Sequence, residues 1–138
     1  MQQSLILFPM LALMGWTFGV LLLMGSRRIS AVQAGRVHAR EFALGESAAV
    51  PVDCTIVNRH YMNLLEIPLL FYAVSLTYYV TQQADTTALV LAWAYVALRL
   101  AHSAVHLGSN RLYHRLLTFA ASNFTLMGLW GWLLVQLA

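Results

Sequence analysis

Four stretches of predominantly apolar residues, at about 5–25, 61–80, 88–107 and 116–137, take up most of this chain of 138 residues. A bilayer core about 30 Å thick is crossed by about 20 helical residues. Inside lipid the backbone must satisfy its own hydrogen bonds, so such stretches have to be helices. Only 9% of residues are charged and 60% are hydrophobic, whereas about a quarter of an ordinary soluble domain is charged. The reading is an all-α, integral membrane four-helix bundle, a single four-span domain over residues 1–138 with the lipid bilayer as its solvent. One inner loop of some size remains, at 26–58.

The first stretch carries Pro9, Gly15 and Gly19, which membrane helices tolerate. Nothing basic precedes it, its apolar run exceeds the ~7–15 residues of a signal-peptide core, and Arg27 and Arg28 follow it, so a retained helix is expected rather than a cleaved signal. The short polar connection 81–87 predicts an antiparallel hairpin of the second and third spans. Within the inner loop, residues 27–43 lack proline and read as a continuation of the first helix until Gly45 ends it, after which the Pro51 region returns the chain to the membrane.

All eight basic residues are arginine. Arg27, Arg28, Arg36, Arg40 and Arg59 lie between the first two spans, and Arg111 and Arg115 between the last two. Basic residues near span ends stay on the cytoplasmic side, so both termini are expected outside and both basic loops in the cytoplasm. This pattern suits a bacterial inner membrane. The net charge of +3 reflects those loops, and no nucleic-acid partner is expected. Cys54, the single cysteine, has no partner for an internal disulfide and reads as a bystander.

Ionisable residues within spans are costly, on the order of 2.5–3.5 kcal/mol each, and mark sites or buried pairs. Arg59, Asn63 and Glu66, at i, i+4 and i+7, share one face of the second span, and Arg99, His102 and His106 share one face of the third. Counted from the inner boundary, Glu66 lies roughly 8 Å and Arg99 roughly 12 Å deep, which predicts a direct Glu66–Arg99 pair. One alternative is a purely structural lock between helices. The surplus of cationic donors over carboxylates favours instead an anionic ligand. His102 and His106, with Glu66 near, have the i, i+4 spacing of a metal pair, but the neighbouring arginines oppose a cation and no metal is expected.

The run Arg59-His-Tyr-Met-Asn63-Leu-Leu-Glu66, followed by Arg99-Leu-Ala-His102-Ser-Ala-Val-His106-Leu-Gly108 and by Arg111 and Arg115, resembles the membrane-associated proteins in eicosanoid and glutathione metabolism (MAPEG). The resemblance implies a homotrimer of four-helix protomers with glutathione, as co-substrate, held between adjacent subunits near the cytoplasmic face. It places Arg59, Asn63, Glu66 and His102 in binding roles, with Arg99 and His106 beside them. Arg115, at the start of the last helix, becomes the catalytic residue that stabilises the glutathione thiolate. Arg36, His38 or Arg40 would supply a basic contact from the inner loop. The chain departs from the family pattern at Leu116, where one prostaglandin-forming branch carries serine, at Phe119, where glutathione-binding members often carry tyrosine, and at His106, a place commonly held by tyrosine. The implied activity is that of a glutathione transferase or glutathione-dependent peroxidase acting on a lipophilic small molecule that enters from the bilayer. The alternative is a noncatalytic relative that binds a small anion or a lipid headgroup.

Overall fold

The computed structural model describes residues 2–43 and 47–138, and all regular structure among them is helical. A 3-10 turn at Gln3–Ile6 leads into α1 (Leu7–Gln33), and a second lies at Ala39–Phe42. Then come α2 (Val52–Glu66), α3 (Pro68–Thr81), α4 (Thr86–Leu107) and α5 (Leu112–Leu137). Four helical segments are long and apolar enough to cross a membrane, at Gln3–Gln33, Val52–Thr81, Thr86–Leu107 and Leu112–Leu137. The second of these is α2 and α3 end to end. They separate at Ile67 because Pro68 has no N–H to donate and its ring crowds the preceding turn.

The first helix stops well before the end expected from sequence. Gly35 takes φ +68°; its N–H donates to the Val32 carbonyl at 3.0 Å, and that of Arg36 to the Ala31 carbonyl at 3.0 Å. This pair of bonds closes a helix with a left-handed residue just past its end. Residues 34–38 are therefore irregular rather than helical, and Gly45, the stop expected from sequence, lies outside the described residues. The chain past this stop makes a small apolar cluster of its own, Ala31, Val37, Val50 and Cys54 with Phe42 against it.

The main core is a thin seam between helices. Leu13 and Val20 of α1, Leu64 of α2, Phe71 and Tyr78 of α3, Ala88, Ala92 and Tyr95 of α4, and Leu129 of α5 are buried together. Ala88 and Ala92 let neighbouring backbones approach closely, the usual device where lipid removes the hydrophobic incentive to pack. The Tyr78 hydroxyl donates to the Leu129 carbonyl at 2.9 Å, joining α3 to α5. Large side chains such as Phe18, Leu22, Val80, Phe124 and Val135 stay exposed on the outer faces, as a lipid-facing surface requires.

Both chain ends meet the α3–α4 turn at one end of the bundle. Gln3 brackets Ala84, its Nε2 donating to the carbonyl at 3.1 Å and its Oε1 accepting from the N–H at 2.8 Å. Asp85 caps α4 by accepting from the Ala88 N–H at 2.7 Å. The same carboxylate accepts from Trp132 at 3.1 Å and Gln136 at 2.9 Å of α5. The expected hairpin is present, and the two arginine-bearing connections lie at its opposite end.

Candidate functional site

At that opposite end, α2, α4 and α5 enclose a cavity of about 400 Å³ lined by Arg59, Met62, Asn63, Glu66, His102, His106, Arg115, Leu116 and Phe119. Three polar segments far apart in sequence thus converge on one space. The helical spacing explains the α2 wall, since Arg59, Asn63 and Glu66 stand on one stripe. Arg115 enters from the first turn of α5 and donates to Asn110 Oδ1 at 3.0 Å. Asn110 sits in the α4–α5 connection with φ +47°. Its N–H donates to the Val105 carbonyl at 2.7 Å, fixing the loop that carries the arginine.

Arg99 does not pair with Glu66. It is fully buried and donates to three neutral acceptors: Tyr95 Oη at 3.0 Å, Asn63 Oδ1 at 3.1 Å and Asn123 Oδ1 at 2.9 Å. Its guanidinium also lies over the Tyr95 and Phe119 rings, 5.3 Å from each centroid, a favourable cation–π setting. Similar depth does not make a pair when the helices turn the two groups apart: Glu66 points outward and is exposed, whereas Arg99 points into the bundle. Because Asn63 gives its oxygen to Arg99, its NH₂ is turned free as a donor. Asn123, which the sequence reading does not single out, also lines an apolar groove of about 750 Å³ between α3 and α5. Arg99 therefore ties the wall of the polar cavity to the wall of the greasy groove.

Behind the cavity lies a second residue missed from sequence, His60. It is fully buried, and its Nε2 meets Ser103 Oγ at 2.8 Å. The single hydrogen of that hydroxyl goes to the Arg99 carbonyl at 3.0 Å, and the oxygen already accepts from Trp16 Nε1 at 2.9 Å. His60 is thus the donor through Nε2, and in the neutral ring Nδ1 keeps its lone pair. His102 Nδ1 faces the Arg115 carbonyl at 3.2 Å and Thr118 Oγ1 at 3.1 Å. A carbonyl only accepts, so Nδ1 carries the hydrogen and Nε2 the lone pair. The signal for His60 was its spacing from Val57 and Leu64, both buried, which places it on the core stripe of α2.

Two expected contacts lie elsewhere. Arg36 forms a two-bond pair with Asp53, at 3.0 and 3.4 Å, and the carboxylate's hydrogen bonds and charge hold the guanidinium proton more firmly than usual. His38 is exposed beside it, and neither lines the cavity. Arg27 adds a looser contact with Asp53 at 3.6 Å, while Arg28 donates to Asn58 at 2.9 Å and lies over the Phe42 ring. These arginines fasten the end of α1 and the loop after it to the first turns of α2. Cys54 is buried at the same place, its thiol 3.5 Å from the Arg27 carbonyl.

Compared with known families, the chain matches the model of the MAPEG family over residues 6–135. The chain belongs to the MAPEG family. No curated protein and no solved structure matches it. Membership agrees with the four membrane-crossing helices and makes this an integral membrane protein of the MAPEG fold. The matched span takes in every residue of the cavity and of the Arg99 network.

Proposed function

We propose that this MAPEG protein is a membrane glutathione transferase or glutathione-dependent peroxidase acting on a lipophilic electrophile. The family includes both activities. The observation that carries the reading is the convergence of Arg59, Asn63, Glu66, His102, His106 and Arg115 on one cavity. Glutathione offers two carboxylates, an ammonium, two peptide groups and a thiol. Arg59 suits the carboxylates, Glu66 the ammonium, and the free NH₂ of Asn63 a peptide carbonyl. Arg115 would stand by the thiol. A cysteine thiol titrates near 8.5, and a guanidinium beside it raises the fraction present as the nucleophilic thiolate. The sulfur then attacks the electrophilic carbon and its leaving group departs, or it takes the outer oxygen of a hydroperoxide as the O–O bond breaks and the alcohol is released, with no protein nucleophile.

The lipophilic partner has an apolar surface in reach, the groove between α3 and α5 that Asn123 and Arg99 connect to the cavity. Glu66 and Arg59 are exposed on the lone protomer, which supports assembly as a homotrimer in which a neighbouring copy closes the cavity. We place both termini outside and the arginine-rich connections in the cytoplasm of a bacterial inner membrane, following the basic-inside pattern.

One observation favours a second reading. Leu116 and Phe119 wall the cavity without a hydroxyl, which leaves the thiolate to Arg115 alone and suits a noncatalytic binder of a small anion or lipid headgroup. Calorimetry of glutathione binding to the detergent-purified protein separates the two, combined with turnover of an electrophilic substrate. Saturable binding weakened by Asn63→Ala is expected. Arg115→Ala should lower turnover by about 10²-fold or more, on the scale of losing an electrostatic stabiliser, with a much smaller change in affinity. Absence of glutathione binding at millimolar concentration would hand the cavity to the noncatalytic reading.

A further inference from the structure

We propose that His60, His102 and His106 form a binding site for a divalent transition-metal ion of the zinc and copper class. One ligating nitrogen from each ring lies within 4.8 Å of the other two, and the ring centroids are 5.0 to 6.0 Å apart. His60 Nδ1, His102 Nε2 and His106 Nδ1 are buried and have no hydrogen-bond partner among the described residues. Buried nitrogens are nearly always partnered, so one such atom on each of three clustered rings points to something the rings hold in common. For His60 and His102 the remaining nitrogen is a donor, to Ser103 and to the Arg115 carbonyl. A metal-binding imidazole has this same arrangement: an outer N–H fixed to an oxygen, with the lone pair of the inner nitrogen aimed at the ion.

The chemistry narrows the ligand. Three nitrogen donors suit zinc, copper or nickel rather than calcium or magnesium, which take oxygen. A zinc ion with bonds of about 2.0–2.1 Å spaces its nitrogens about 3.4 Å apart, so ring adjustments of about 1 Å complete the site. Arg99 and Arg115 stand nearby and oppose a second positive charge. That repulsion disfavours weakly held ions and leaves those with the highest imidazole affinity at the head of the divalent series. His102 and His106 also line the cavity, from which a solvent or anionic donor can complete the coordination. The proposal does not rest on the glutathione reading, although His102 and His106 border the same cavity.

The test uses the full chain, stripped with chelator in detergent, free of glutathione and titrated with Co²⁺. His38 and His114 are exposed, and replacing both (His38→Asn with His114→Asn) leaves only the three clustered rings of the five histidines. This double variant is expected to bind one Co²⁺ per chain with the intense visible absorption of a four-coordinate site, and Zn²⁺ should abolish that spectrum by displacement. His106→Asn in the same background should weaken Co²⁺ binding by about 10-fold or more, the scale of losing a metal partner. A weak octahedral spectrum, or binding that disappears with His38 and His114, would overturn the site. Because the double variant keeps the core rings, it decides the question even if His106→Asn fails to fold.

Discussion

Arg99 shows how a single buried charge is kept without a counter-ion. Its guanidinium spends its donors on Tyr95, Asn63 and Asn123, three acceptors from three helices. A lysine has one compact ammonium on a flexible stem and cannot span that fork. Arg99→Lys should therefore lower stability by about 3 kcal/mol, since hydrogen bonds to charged groups are each worth about 1.5–3 kcal/mol. Glu66→Gln, exposed and outside that network, should leave the melting temperature of the ligand-free protein unchanged and weaken glutathione binding. Thermal unfolding of both variants in detergent checks the contrast; equal losses would restore the Glu66–Arg99 pair. The shared face of Arg59, Asn63 and Glu66 was legible from spacing because helical periodicity reports direction around one axis. Which acceptor Arg99 chooses was not, because it depends on how three helices are rotated against one another. His60 was hidden for a related reason: it follows Arg59 directly and so lies about 100° away from the polar stripe, on the packed side of the same helix.

The helices themselves were legible from composition, but their ends were set by local chemistry. Pro68 divides the second membrane segment at Ile67, and Gly35 ends the first. The expected run to Gly45 weighed helix-forming residues and passed over Gly35, whose left-handed backbone closes two bonds at once. Alanine at that position meets no steric obstacle within 4 Å, so a Gly35→Ala change reads the backbone term alone. A non-glycine residue pays about 1–2 kcal/mol for the left-handed region, so the variant should be less stable by about that amount and melt at a lower temperature. Loss should also loosen the adjoining arginine and Asp53 contacts, which hydrogen exchange of residues 34–38 can report. No change in either would mean that the stop is set elsewhere.

On the scale of the whole molecule, the two ends of the bundle are built from different materials. One is fastened by Gln3, Asp85, Trp132 and Gln136 around the α3–α4 turn, the other by arginines and the cavity. Antiparallel helices joined by short turns made this arrangement readable from the positions of the spans. The occupant proposed for the cavity rests on the family pattern, since periodicity reports where polar groups lie and not what they hold. On the proposed orientation, with the basic connections in the cytoplasm, a cysteine introduced at Gln83 should react with a membrane-impermeant maleimide on intact spheroplasts. One at Ser109 should react only after lysis. The reverse pattern would invert the orientation.

Cys54, 1% exposed beneath the Arg27 carbonyl, gives these experiments a silent background. The chain's only thiol is shut away from reagents, so fluorophores and spin labels can be placed at chosen sites without first removing it. For the same reason the protein's own thiol adds little to the loss of an electrophile in a turnover assay.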